Sequence, residues 1–155
     1  MSDQEKLQLL LDRMEITELV QRYATGVDSQ DWKLFHSIFT DEIEVWLGSA
    51  SVGQAALRKV NADKFTERTS RIIGRFAVTQ HLLSNHRIEV SGDEATCVVY
   101  MQARHFPRQE EASQAVWDIG GYYTHHLART AVGWKIAKYT LTVTWTENTP
   151  PDITL

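Results

Sequence analysis

Asp28 and His81 have the acid–base properties of a proton-transfer pair. A neutral imidazole exchanges protons near pH 7, and a carboxylate bonded to one ring nitrogen fixes the tautomer and favours the cation. If the fold brings the two together, they form a general base. Each also has a plainer interpretation, because Asp28 can cap a helix and His81 can be a structural histidine of a strand.

Two further side chains could assist such a base. Tyr23 lies five residues before Asp28, across a predicted bend that can aim both into one cavity. His105 continues an alternation that places it on the inner face of a strand, where an imidazole needs a partner or a ligand. The apolar members of that alternation are Ala95, Cys97, Val99, Met101 and Ala103.

A later strand carries a second alternating set that could line a cavity or be a core aromatic stripe. Gly121 would leave space for a ligand in it. His125 and the adjacent His126 must point to opposite faces, so they cannot jointly bind one metal in the ordinary way. Trp46 is a possible pocket wall. The alternating set is Trp117, Ile119, Gly121, Tyr123 and His125.

The first half of the chain is predicted to be mainly helical. Apolar residues at helical spacing predict a helix over about 3–24, which Gly26 can end, and Asp28 with Ser29 can cap the next helix over 31–39. A short strand over 42–47 and a third helix over 54–65 follow.

From residue 77 onward the pattern becomes strand-like, with runs over about 77–90, 94–106, 115–130 and 133–146. Residues 91–93 and 131–133 are plausible hairpin turns, and 107–113 is a polar loop. Helices followed by antiparallel strands predict an α+β fold with a bent sheet against a helical layer. One domain over 1–147 and a Thr/Pro-rich tail over 148–155 are expected.

Composition narrows the function. The chain has 155 residues, 43% of them hydrophobic, and a formal net charge of −4, which disfavours nucleic acid or an anionic membrane as partner. Cys97 is the single cysteine and is predicted to be a small buried hydrophobe. The N-terminus lacks the features of a secretory signal and no long apolar stretch occurs, so a cytosolic location is expected.

Cofactor chemistry is not indicated by any motif. The chain has no phosphate-binding glycine loop, no nucleophile elbow and no CxxC motif. With its histidines scattered over predicted strands, no metal site is expected either.

From about residue 9 to 147, the sequence resembles the SnoaL-like branch of the nuclear-transport-factor-2 superfamily, and most closely its scytalone-dehydratase-like members. The motifs are residues 16–23 leading into GVDSQDW (26–32), TQH (79–81), ARH (103–105) and GWKI (133–136). The resemblance implies a cone-shaped α+β fold in which three N-terminal helices pack on a strongly curved, mainly antiparallel sheet.

The resemblance also implies roles for the candidate residues. Asp28 and His81 match the dyad that abstracts a proton, and His105 falls near the second histidine, which helps hydroxide to leave. Tyr23 matches the tyrosine of related bile-acid dehydratases, where that tyrosine can donate a hydrogen bond to the developing enolate. The residues predicted to line the substrate pocket are Val27, Trp46, Met101, Trp117, Ile119, Gly121 and Tyr123.

Departures from the family pattern disfavour scytalone itself as substrate. Val27 and Trp46 replace two tyrosines of scytalone dehydratase. Gly121 and Tyr123 stand near the positions of the late-strand serine and asparagine of that enzyme. Ala137 stands where the lindane dehydrochlorinase has an arginine.

The predicted function is a cofactor-independent dehydratase for a small apolar cyclic hydroxy-carbonyl compound. The same proton abstraction also serves an isomerase or a polyketide cyclase, and the superfamily includes non-catalytic binding and assembly modules. The resemblance further implies a homo-oligomer, either a dimer or a trimer formed through the sheet.

Overall fold

A computed structural model describes residues 1–49, 58–108 and 115–153. Its first element, α1 (Asp3–Asp28), begins with a capping box. The Ser2 hydroxyl accepts a hydrogen bond from the Glu5 backbone N–H, and the Glu5 carboxylate accepts one from the Ser2 backbone N–H. Two free N–H groups at the helix start are thereby satisfied.

The end of α1 differs from the prediction in a way that matters for the site. Gly26 does not end the helix but lies inside it, where a Cβ would come within 2.9 Å of the Phe35 backbone nitrogen. Asp28 is the last residue of α1, and the next helix is capped by Asp31, which accepts from the Leu34 N–H at 2.9 Å. The interpretation of Asp28 as a helix cap is therefore wrong.

The next elements are α2 (Trp32–Ser37), β1 (Phe39–Ser49), β2 (Arg58–Asn61) and α3 (Ala62–Ile73). The predicted helix over 54–65 is wrong in position: 54–57 lie outside the described residues, and 58–61 form β2. Pairing of β2 with β1 is a non-local contact that overrides local propensity. Asn61 then caps α3 by accepting from the Asp63 N–H at 2.8 Å.

The second half of the chain supplies four long strands, β3 (Val78–Ser91), β4 (Glu94–Phe106), β5 (Trp117–Thr130) and β6 (Gly133–Glu147). Both predicted turns are confirmed, with Gly92 at φ 61° and Gly133 at φ 101°, values that favour glycine. Of the predicted polar loop, residues 109–113 lie outside the part of the chain that the structure describes.

The six strands form one mixed sheet in the order β2-β1-β6-β5-β4-β3. Only the β1–β6 pair is parallel among the described strands, which confirms the mainly antiparallel α+β prediction. The sheet is not closed into a barrel, since β2 and β3 are its edges. Register shifts place extra residues in β1, β3 and β6 and mark the bulges at which these strands bend.

The core lies between the helices and one face of the sheet. α1 packs along β3 and also contacts β6, while α3 contacts α2 and β1. Cys97 is fully buried in this core, as predicted, and burial raises its thiol pKa to about 11. In the described ranges, each helix is too short or too polar to cross a membrane.

The segment after β6 folds back onto the domain. Asp152 forms an ion pair with Arg75, just beyond α3, at 2.7 Å. Ile153 packs against the hydrophobic core. Within the predicted tail, Asp152 and Ile153 therefore contact the domain.

Candidate active site

Asp28 and His81 meet where the C-terminal end of α1 packs against β3. The Asp28 Oδ1 atom lies 2.7 Å from His81 Nδ1, and Oδ2 accepts a hydrogen bond from the His81 backbone N–H, also at 2.7 Å. The Thr79 hydroxyl donates to Oδ1 at 2.9 Å. Three hydrogen bonds from one strand thus fix the carboxylate against the imidazole.

The electrostatics of this pair favour an ionised Asp28 carboxylate. Burial opposes ionisation of Asp28, whose side chain is 25% exposed, but the hydrogen bonds from His81 and Thr79 outweigh it and lower the Asp28 pKa. A carboxylate only accepts hydrogen bonds, so His81 Nδ1 carries the proton. In a neutral ring of this tautomer, Nε2 has the free lone pair that a general base requires.

His81 is one wall of an apolar cavity of about 130 Å³ between the sheet and α3. An apolar cavity of roughly 150 Å³ holds benzene, so this one has room for about one six-membered ring. The cavity is lined by Tyr23, Phe65, Arg68, Thr69, Ile72, Ile73, His81, Met101, His105, Trp117, Ile119, Tyr123, Tyr139, Leu141, Val143 and Ile153.

Three buried phenols meet in the wall of this cavity. The Tyr23 hydroxyl lies 2.9 Å from that of Tyr139, and the Tyr123 hydroxyl donates to Tyr23 at 3.5 Å. Burial raises the pKa of all three, so the phenols are protonated at neutral pH. The Tyr23 and His81 rings stand edge to face with centroids 6.2 Å apart. A hydrogen-bond donor therefore lies beside the candidate base.

His105 sits on the other side of His81, with ring centroids 5.7 Å apart, and stacks on Trp117 at 4.2 Å. Burial, with the nearby His81, lowers the His105 pKa to about 4. Its Nδ1 lies 3.3 Å from the Trp117 carbonyl oxygen, which can only accept, so Nδ1 carries the single proton. His105 at rest offers a lone pair at Nε2 instead of a spare proton.

Comparison with known proteins agrees with this architecture. The family model of the SnoaL-like domain matches residues 8–140. The chain belongs to the SnoaL-like family. It is 27% identical over 130 residues, 82% of each chain, to the uncharacterized protein Rv2910c of Mycobacterium tuberculosis. SnoaL-like membership thus covers both the helical layer and most of the sheet.

Solved structures show the same fold. The Kfla4162 protein from Kribbella flavida matches with a TM-score of 0.82 and 28% identity, over 90% of this chain and 95% of that one. A scytalone dehydratase candidate from Novosphingobium aromaticivorans matches with a TM-score of 0.75 and 21% identity, over 94% of this chain and 97% of that one. Hexachlorocyclohexane dehydrochlorinase LinA-type3 from Novosphingobium barchaimii matches with a TM-score of 0.74 and 20% identity, over 97% of each chain. The last two likenesses concern the fold.

Four of the seven residues predicted to line the pocket of this SnoaL-like protein do so: Met101, Trp117, Ile119 and Tyr123. The other three, all within the described residues, do not. Val27 is buried in the core. Trp46 alternates with the buried Ile43 and Val45 and therefore points to the opposite face of β1. Gly121 leaves no ligand space, because a Cβ there would overlap the Thr142 carbonyl oxygen.

Besides Ile153, which follows β6, sequence reasoning missed two parts of the cavity. Tyr139 alternates with Leu141 and Val143 on the inner face of β6, and this period-two spacing could have indicated it. The second part is the face of α3, whose lining positions follow helical spacing. That spacing was misread because the third helix was predicted eight residues too early, over 54–65 instead of Ala62–Ile73.

His125 and His126 face opposite sides of the sheet, as predicted. His125 is fully buried, neither ring nitrogen has a hydrogen-bond partner among the described residues, and burial lowers its pKa to about 3. His126 is exposed on the outer face. His125 stacks on Tyr123, with centroids 5.4 Å apart, behind the cavity wall.

Proposed function

We propose that this SnoaL-like protein is a cofactor-independent lyase of the dehydratase type. Its substrate is a small cyclic hydroxy-carbonyl compound whose ring fits the apolar cavity. The observation that supports the proposal is the 2.7 Å contact between Asp28 and His81 at the wall of that cavity. A residue pair held by three hydrogen bonds in a largely apolar pocket is the arrangement that proton abstraction requires.

The reaction begins at carbon. His81 Nε2 takes a proton from the carbon next to the carbonyl, and the electron pair of that C–H bond forms an enolate. Asp28 stabilises the resulting imidazolium, while Tyr23 donates a hydrogen bond to the enolate oxygen. Tyr23 can do so because burial keeps its hydroxyl protonated.

Loss of the hydroxyl group completes the reaction. The enolate re-forms the carbonyl as the C–O bond at the β carbon breaks and a carbon–carbon double bond forms. The leaving hydroxide takes a proton from the His81 cation, either directly or through His105, which accepts it at Nε2 and passes it on. One water leaves, and His81 is neutral again.

General base catalysis supplies about 10²–10⁴-fold of the expected rate acceleration. The remainder of the rate comes from holding the reacting carbon beside an oriented base in a cavity with little water. The described cavity wall is mainly apolar, and its polar side chains include His81, His105 and the three phenols, with Arg68 and Thr69 on α3.

The same proton abstraction has alternative outcomes. Reprotonation of the enolate at another carbon gives an isomerase, and attack of the enolate on a second carbonyl gives a polyketide cyclase. The fold shared with a dehydrochlorinase adds chloride as a leaving group. A substrate panel should therefore include hydroxy-ketones, unsaturated ketones and halogenated rings, and mass spectrometry distinguishes loss of water or hydrogen chloride from an unchanged mass.

The test compares His81→Ala and Asp28→Asn with wild type on that panel. We expect kcat/KM to fall by about 10²–10⁴-fold in both variants. His126→Ala is the matched control, because it removes an exposed histidine from the outer face of the sheet. Unchanged turnover in both dyad variants would falsify the proposal, and absence of turnover by wild type on every compound favours a binding module.

A homo-oligomer, dimer or trimer, is part of the same proposal. Leu82, Tyr100 and Trp145 are large, exposed apolar side chains on strands of the sheet. Exposed apolar patches of this kind mark interaction sites. Light scattering should show more than one copy per particle, and Leu82→Lys combined with Tyr100→Lys should release monomers.

A further inference from the structure

One charged side chain breaks the apolar stripe that α3 turns toward the cavity. The stripe has the helical spacing i, i+3, i+4, i+7 and consists of Phe65, Arg68, Thr69 and Ile72. Phe65 is buried, whereas Arg68 is exposed and still lines the cavity, so Arg68 lies at its opening. A leucine at this position would continue the stripe, and the arginine therefore calls for a separate reason.

Neighbouring arginines have partners that explain them. Arg71 pairs with Glu67 at 2.8 Å, Arg75 with Asp152 at 2.7 Å, and Arg108 donates to the Gly74 carbonyl oxygen at 2.6 Å. Arg68 has no hydrogen bond or ion pair with any residue in 1–49, 58–108 or 115–153. The described residues therefore leave its five N–H donors for a ligand.

The charge of the cavity points the same way. Arg68 is the single permanently charged side chain among the described lining residues. The whole chain carries a net charge of −4, so its overall field repels anions. A local guanidinium at the opening, with a planar fork that matches carboxylate and phosphate oxygens, reverses that field where a ligand enters.

We infer that Arg68 binds an oxyanion, a carboxylate or a phosphate, carried by the substrate outside the ring that fills the cavity. The inference deepens the proposed function and rests on it for the chemistry at the ring. It makes the substrate an acidic cyclic compound whose ring faces His81 and whose anion lies at the opening. About 130 Å³ of cavity leaves no room for a second ring, so the anionic group extends toward solvent.

Binding of three one-ring probes tests this inference without turnover. Phenylacetate and benzyl phosphate carry the two oxyanions, and phenylacetamide is the neutral counterpart of phenylacetate. We expect wild type to bind at least one of the anions about tenfold more tightly than the amide, as measured by NMR titration at low salt. The stronger of the two anions identifies the group that Arg68 binds.

Two variants of the same helix separate a contact from a general charge effect. Arg68→Met should abolish the preference for the anion and leave the amide Kd unchanged. Arg71→Met removes the same charge from a residue outside the cavity and should keep the preference. The inference is overturned if both variants lose the anion preference equally, or if wild type shows no preference for an anion over the amide.

Repeating the titrations on His81→Ala keeps this inference distinct from the proposed function. The anion preference should persist there, because Arg68 acts at the opening and not at the base. If His81→Ala loses no activity while the preference persists, the lyase proposal fails and the anion site stands. With a turned-over acidic substrate, Arg68→Met should raise KM more than it lowers kcat.

Discussion

Two aspartates of α1 each bond to the sheet, one in the first half of the helix and one at its last residue, and they bond to partners of different kinds. Asp12 accepts bidentate hydrogen bonds from Arg129 at 2.8 Å each and a third from Trp134 Nε1 at 3.2 Å. Its side chain is 4% exposed. The Asp28 side chain is more open and faces an imidazole in place of a guanidinium.

The difference in partner separates structure from chemistry. Arginine is never deprotonated in a protein, so the Asp12–Arg129 pair can only hold α1 to the sheet. Histidine exchanges its proton, so the Asp28–His81 pair can change charge during a reaction. Asp28 is also a carboxylate at a helix C-terminus, where the helix dipole disfavours negative charge. A local rule is broken at the place where chemistry is proposed.

The largest expected loss of stability is at Asp12. Asp12→Ala leaves Arg129 without its bidentate partner and removes the acceptor of Trp134 Nε1. Removing one side of a buried ion pair costs about 3–5 kcal/mol of unfolding free energy, and the lower end applies here because the Arg129 side chain is 30% exposed. Urea unfolding followed by circular dichroism measures this loss.

Asp3→Ala is the matched control for that measurement, because Asp3 forms an exposed ion pair with Lys6 in the same helix. Its loss should stay within about 0.5 kcal/mol. If Asp12→Ala lost no more unfolding free energy than this control, the Asp12–Arg129 ion pair would not stabilise the packing of α1 on the sheet.

A smaller loss is expected at Asp28. In Asp28→Asn the amide oxygen can still accept from the His81 backbone N–H or from Thr79, so about 1–2 kcal/mol is lost near pH 7. The Asp28 pKa lies below its ordinary value of 3.8. The carboxylate therefore stabilises the fold above about pH 3.8 and loses that contribution as pH falls further.

The difference in unfolding free energy between wild type and Asp28→Asn should consequently narrow in acid. Urea titrations at pH 7, 4 and 3 measure it. A gap that stays constant over this range means that ionisation of Asp28 contributes nothing to stability. A loss larger than that of Asp12→Ala would reverse the comparison between the two aspartates.

The comparison also shows what the sequence could and could not predict. Helical and alternating spacing predicted α1 and the four long strands, because each pattern lies within one element. The same spacing could not show that α1 continues to Asp28. Gly26 looks like a helix end in the sequence, but it lies inside the helix because the backbone of Phe35 approaches it closely. Only the resemblance joined Asp28 to His81, which lies 53 residues away.

The errors have the same origin in non-local contacts. Residues 58–61 are a strand because β1 is available for pairing. Gly121 is required by the backbone of β6 at a bulge, and no count along β5 shows that. Arg68 went unnoticed because its position in the cavity depends on where α3 begins. A site assembled from α1, α3 and four strands is set by tertiary packing.

The smallest expected effect concerns His125, a buried imidazole without the partner that both aspartates have. Phenylalanine has a similar shape and no polar atoms, so His125→Phe should change the unfolding free energy at pH 7 by less than about 1 kcal/mol. Folding lowers the His125 pKa from 6.5 to about 3. Between these pH values the unfolded chain binds a proton that the folded protein excludes, so stability falls as pH decreases. His125→Phe should lose stability less steeply than wild type from pH 6.5 to 4, with exposed His126→Phe as control. Parallel pH curves for wild type and His125→Phe would mean that His125 has a polar partner in solution.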